Sequence, residues 1–337
     1  MRHIHKYLNL IYITLIVSVL SGCGSEAALP KDSIPDDKKL VIYTSHKANI
    51  YEPIVKEFEE RSGIWVKVVT GGTNEILNKV AQGENEEHAD IMFGGGVDSL
   101  EVYKDCFEPY VTSQQERLDS TYASPESAYT VFSKLPIVFV YNEKLVIQAG
   151  TPRTWEELLS SRWKGKIAFA DPNQSGSSYT ALTTMILALK DSYDGKAVVK
   201  EFADNLDGDI CDSSGEIIDA VVSGKKLIGI TLEETALKKQ ESYPELKIIY
   251  PQDGTSKVPD GCAIFKDAPH RGNAELFMEF IVGDDVQRLL KEQLYRQSVR
   301  TDLSQEDDVK ELNYDIDFAI QKREEILEYW DSVKEGQ

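Results

Sequence analysis

Basic residues are scarce in this sequence. Against 57 Asp and Glu there are only 37 Lys and Arg in 337 residues, a formal charge of −20. Phosphate backbones are held mainly by Lys and Arg, so this balance argues against a nucleic-acid partner. Cysteines number four, at 23, 106, 211 and 262, with no CxxC and no Cys/His spacing of a zinc site. The expectation is free thiols rather than a disulfide framework. HExxH, GxSxG, GxGxxG and GxxxxGK[ST] are all missing. No enzymatic activity, cofactor or resident metal is therefore expected. The apolar run at Ile11–Leu20 is too short for a permanent membrane span, which needs ~20 residues.

That run is nevertheless informative. Arg2 and Lys6 precede it without any acid, and Leu20-Ser21-Gly22-Cys23 follows it, the layout of a signal peptide. The tetrapeptide resembles a bacterial lipobox. The resemblance implies cleavage before Cys23 and a diacylglycerol on its sulfur, giving a signal peptide over 1–22 and a lipidated tether over 23–38. Gly, Ser and Pro in the tether suit a flexible linker. The mature chain would then carry 35 basic and 57 acidic residues, net −22, on the extracytoplasmic face of the bacterial cell membrane.

The remainder is a packed chain, 41% hydrophobic and 28% charged, long enough for two domains. Short apolar runs alternate with helical periods from residue 39. Lys39–Thr44, Ile64–Val69 and Ala89–Phe93 read as strands separated by helices, which implies a mostly parallel α/β sheet. Asn49 and Glu52 suggest a capping box, and Gly63 a stop. A continuous apolar run, Leu135–Tyr141, reads as a buried strand. A second α/β pattern then begins, including a helix from Gly176 to Leu189, and an amphipathic helix near Ile316–Val333 closes the chain. The expected body has one lobe of 39–136 plus 262–337 and another of 142–255. They are joined by hinge crossings at 137–141 and 256–261, with a ligand cleft between.

Several polar turns end strands in this scheme and are candidate ligand contacts. The turn after the first strand offers Ser45 and His46, the second Thr73, and the glycine turn Gly94-Gly95-Gly96 offers Gly95. At the start of the long helix, Ser175, Gly176, Ser177, Ser178 and Thr180 bring hydroxyls and backbone N–H groups to a positive helix end, an anion site that needs no lysine. Ser214 opens another helix. Glu233 and Glu234 follow a strand and would accept hydrogen bonds from hydroxyls or face an ammonium.

The succession VIYTSHKANIYEPIVKEFEERSG, ADIMFGGGVDSLE, LPIVFVYN, TWEELLSSRWKGKIAFADPNQSGSSYTAL, SGEIIDAVVSGKKLIGITLEE and PDGCAIFKDAPHRGNAELFMEFIV resembles the ferric-iron and hexose-phosphate branch of the ABC-transporter solute-binding proteins. This resemblance implies a two-lobed type II periplasmic-binding-protein clamp that closes on its ligand, serving ABC permease and ATPase subunits as a monomer. Ferric-binding members have a Tyr-Tyr pair just after the strand corresponding to Lys226–Ile230, where this chain reads Thr231-Leu232-Glu233-Glu234, although His46 matches their histidine. Hexose-phosphate members have an SGxxYTAL cradle, matched by Ser175 to Leu182, and a serine matching Ser45. They carry a His-Asp pair at the position of Glu233-Glu234. The resemblance thus implies capture of a phosphorylated small molecule, most simply a sugar phosphate. The alternatives are ferric iron and an aminoalkylphosphonate, whose ammonium Glu233 or Glu234 would face.

Overall fold

Leu40 to Thr44 are apolar or hydroxyl-bearing residues with almost no exposure, and they form β1 (Lys39–Thr44) at the heart of the first sheet. The structure is a computed structural model that describes residues 34–147, 150–303 and 309–334. The expected signal peptide, Cys23 and most of the tether lie outside these residues. After β1, α1 (Ala48–Ser62) buries Ile50, Ile54, Val55 and Phe58, and it stops at Gly63, whose φ of +66° suits glycine. Its start differs from the expected capping box. The helix begins at Ala48, which puts Asn49 inside it, and Lys47 at the cap position provides no side-chain bond.

β2 (Trp65–Thr70), α2 (Thr73–Ala81), β3 (Ile91–Gly96) and α3 (Val97–Val102) complete the first βαβαβα unit. β1 pairs in parallel with both β2 and β3. A short β4 (Phe107–Glu108) leads to β5 (Thr130–Asn142), buried along its whole length. The second α/β region contains α4 (Trp155–Leu158), β6 (Ile167–Ala168), α5 (Gly176–Leu189), α6 (Gly195–Leu206), α7 (Ser214–Val222), β7 (Ile228–Leu232), α8 (Glu233–Gln240) and β8 (Leu246–Ile249). The chain returns through β9 (Lys257–Phe265) to α9 (Arg271–Ile281), α10 (Asp284–Gln293) and β10 (Gln297–Ser298).

The strand order β2-β1-β3-β9-β5-β7-β6 shows how the two regions are joined. Thr130 to Pro136 of β5 pair with β9, whereas Ile137 to Tyr141 of the same strand pair with β7. One strand therefore leaves the first sheet and enters the second between Pro136 and Ile137. The return crossing meets it there: the Ile137 N–H donates to the Ser256 carbonyl at 3.2 Å, and the Thr255 hydroxyl donates to the Ile137 carbonyl at 2.7 Å. The joint is narrower than the two segments expected from sequence, because all of 137–141 and, apart from Ser256, all of 256–261 already belong to one ladder or the other.

The C-terminal region departs from expectation in two respects. The single helix is broken into α11 (Ile316–Gln321) and α12 (Arg323–Lys334). The break lets α11 pack on α3 while α12 packs on α6 of the other lobe, so assigning all of 262–337 to the first lobe does not hold for α12. Trp330 of α12 is fully buried, edge-on to Phe169 with ring centroids 6.0 Å apart. Burial of a side chain this large is worth ~3–5 kcal/mol against truncation to alanine, enough to hold α12 on the second lobe.

Candidate ligand-binding site

The ends of β1 and β3 lie side by side, so the turns after them converge. His46 is wedged against Phe93 and Phe132, with ring centroids at 5.1 and 5.8 Å in edge-on geometry. It fits only because position 94 has no side chain: a Cβ on Gly94 would lie 2.5 Å from His46 Nε2, and the backbone there has φ +97°. Gly95, at φ +114°, likewise leaves room for Thr73, whose Cγ2 would lie 2.8 Å from an added Cβ.

Beneath these turns lies a buried ion pair that sequence reasoning missed. Asp260, in the middle of β9, accepts a hydrogen bond from the Gly95 N–H at 2.8 Å and another from Arg296 Nη2. Arg296 is 3% exposed and also donates from Nε to Ser133 Oγ at 3.0 Å. Its Nη1 reaches across to Glu234 Oε2 of the second lobe at 3.4 Å. An acid within the apolar run of β9 was the available sequence signal for Asp260. For Arg296 there was none short of the fold.

Glu233 and Glu234 do not act as a pair. Glu233 is buried and accepts from the Tyr250 hydroxyl and, at 3.2 Å, from Gln297 Nε2. It borders a hollow of about 350 Å³ whose lining also includes Lys134, Lys257 and Arg296. Only Glu234 turns toward Asp260 and Arg296. Burial raises its pKa, and the Arg296 charge opposes that shift.

At the start of α5, Ser175 is the cap, in extended backbone, with Oγ accepting from the Ser178 N–H at 3.2 Å and lying 3.1 Å from Ser177 Oγ. Thr180 is buried, and its hydroxyl donates back to the Gly176 carbonyl at 3.1 Å. Several of the expected hydroxyl contacts are thus engaged within the helix itself. The N–H groups of Gly176 and Ser177 are different: they have no acceptor among the described residues, and Gly176 is exposed.

Arg323, also missed from sequence, stands between this helix and the first lobe. Its guanidinium lies 4.3 Å over the Tyr179 ring and 3.5 Å from Asp98 of α3. Nearby, Lys334 neutralises Asp171 at 2.8 Å. Ser45 and Ser214 are half-buried at the starts of their turn and helix, outside the contacts above. Among the described residues, no group of three His, Cys, Asp or Glu side chains is arranged to hold a metal ion.

Two lobes meet over a polar floor. The chain matches the family described as bacterial extracellular solute-binding protein over residues 88–326. It belongs to that family. The Synechocystis protein named iron uptake protein A1 is 24% identical over 299 residues, covering 83% of this chain and 81% of the relative. Two solved structures share the fold. A Campylobacter jejuni ferric binding protein superposes with a TM-score of 0.77 at 22% identity, over 87% of this chain and 99% of the other. The periplasmic binding protein AfuA of Actinobacillus pleuropneumoniae, with fructose-6-phosphate bound, gives 0.74 at 22% identity over 88% and 98%. The protein is accordingly a type II periplasmic-binding-protein clamp, a solute-binding component of ABC import and not an enzyme. No helix among the described residues is long and apolar enough to cross a membrane.

Burial lowers the His46 pKa to about 4; Asp260 pulls the other way, and Arg296 adds to the lowering. The folded value lies below the ordinary one of 6.5, so between them the unfolded chain binds the extra proton. His46 therefore contributes stability fully above about pH 6.5 and loses that contribution as the pH falls toward 4. The expected NMR result is a His46 Cε1–H resonance that stays at its neutral position from pH 8 to pH 5. A midpoint near 6.5 would contradict the buried, neutral assignment.

Proposed function

We propose that this protein captures a phosphorylated small molecule between its lobes, most simply a sugar phosphate. In this reading the anion sits on the first turn of α5 and the polar remainder of the solute faces Glu234, with His46, Thr73, Gly95 and Ser45 across the cleft. The observation that carries it is the pair of unpartnered N–H groups, Gly176 and Ser177, at the positive end of a 14-residue helix. Backbone amides there favour an anion through both hydrogen bonds and the helix dipole. Arg323 beside Tyr179 adds positive charge at the same helix turn.

The ferric alternative is less well supported. Tight Fe³⁺ binding calls for several anionic oxygen donors, yet Glu233 is engaged by Tyr250 and Gln297, and Glu234 faces a guanidinium. An aminoalkylphosphonate would use the same anion turn and place its ammonium near Glu234. Permease and ATPase subunits of an importer are the partners this role requires, and a monomer suffices for it.

The same reading includes membrane attachment through a lipidated Cys23, supported by Leu20-Ser21-Gly22-Cys23 after a short apolar run. In cell fractionation, Cys23→Ala should move the protein out of the membrane fraction. Unchanged membrane association of that variant would refute the anchor.

Gly176→Pro tests the anion turn with little threat to the helix. Proline is well tolerated at the first helical position, and the preceding Ser175 already has the extended backbone that proline demands (φ −114°, ψ 112°). The substitution deletes one N–H. A hydrogen bond to a charged group is worth ~1.5–3 kcal/mol, so calorimetric titration with hexose phosphate should show affinity weakened about tenfold to about a hundredfold, with the melting temperature kept. Equal affinity in the variant would remove the turn from the site. Tight iron binding without response to any phosphorylated solute would overturn the reading altogether.

A further inference from the structure

The cleft floor holds a set of donor atoms that anion capture at α5 leaves unexplained. His46 Nε2 is buried, has no hydrogen-bond partner and lies 3.3 Å from Asp260 Oδ2, with the His46 side chain only 8% exposed. Glu234 Oε2 approaches the same place from the second lobe. An imidazole nitrogen with two carboxylates is a donor set suited to divalent first-row metals. Here Asp260 and Glu234 both contact one guanidinium instead, and His46 Nε2 lies against the same Asp260 Oδ2 that the guanidinium holds. Arg296 contacts Asp260 through Nη2 and Glu234 through Nη1, and Ser133 anchors its Nε. The guanidinium also lies 5.9 Å from the Phe132 ring, which flanks His46 on its other side.

We propose that Arg296 is a resident cation at the centre of the His46, Asp260 and Glu234 donor set, and that it determines specificity by excluding metal ions from the cleft. Its fixed positive charge balances Asp260 and repels a second cation at contact distance, in surroundings too dry for water to screen the repulsion. The guanidinium is planar and permanently charged, so no pH in the working range vacates the position. The inference deepens the anionic-solute reading, since a floor that refuses cations leaves the cleft to anions.

The test is cobalt binding by the full chain after chelator treatment, followed by visible absorption and equilibrium dialysis. Wild type should take up no stoichiometric Co²⁺. Arg296→Gln should bind one equivalent, at least about tenfold more tightly than wild type, and should lose it when His46→Ala is added. The inference is overturned if wild type binds one equivalent as tightly as Arg296→Gln, or if a folded Arg296→Gln binds none. Because Arg296→Gln strips Asp260 of its counter-charge and endangers the fold, Glu234→His supplies a second arm. It adds an imidazole donor while Arg296 stays, and it should still bind no cobalt. Saturable cobalt binding by Glu234→His would show that the resident cation does not exclude metals. A wild type that ignored every phosphorylated solute would refute the anionic reading and leave these cobalt results to decide the present one.

Discussion

The Asp260–Arg296 ion pair is the constraint on which the cleft depends. Asp260 belongs to β9, the strand that brings the chain back from the second lobe, and its carboxylate holds the Gly95 N–H of the glycine turn. Arg296, just before β10, holds Asp260, Ser133 of β5 and Glu234 of α8. Two strands of the first lobe and one helix start of the second thus meet at one guanidinium. Removing either member of such a buried pair strands the other charge, at a cost of ~3–5 kcal/mol. Both partners are almost inaccessible, so the pair is better understood as a positioning element than as a surface attraction.

This pairing also bears on how an acidic chain could capture the proposed anion. The net charge of −20 is spread over a surface where salt screens interactions beyond ~8 Å. What a bound solute senses is the first few ångströms. There Asp260 is balanced by Arg296, Asp171 by Lys334, and Asp98 by Arg323 at a longer distance. With these acids balanced, the proposed anion turn at the start of α5 keeps the favourable sign of its helix end.

Much of this was legible in the sequence, for reasons tied to local periodicity. The apolar face of α1, its stop at Gly63, and α5 from Gly176 to Leu189 follow from patterns within a few residues of one another, and the structure reproduces them. That the turns of His46, Thr73 and Gly95 each follow a strand was legible as well; that they lie together depends on the strand order, which the structure supplies. What was not legible depends on direction or on distant contact. Glu233 and Glu234 are adjacent at a helix start, where successive side chains point ~100° apart; one serves Tyr250 and the other faces the cleft. Arg296 meets Asp260 across 36 residues, and no local pattern encodes that. The break after Gln321 likewise reflects two separate docking surfaces, one on each lobe.

The central claim is that the space between the lobes is built for a phosphorylated solute. Native mass spectrometry of the full chain, purified without refolding, measures this most directly. The account predicts a population carrying one additional mass equal to that of a hexose phosphate or a related phosphorylated small molecule, lost on gentle activation. A stoichiometric iron adduct in its place, or an adduct with the mass of an unphosphorylated sugar, would contradict it.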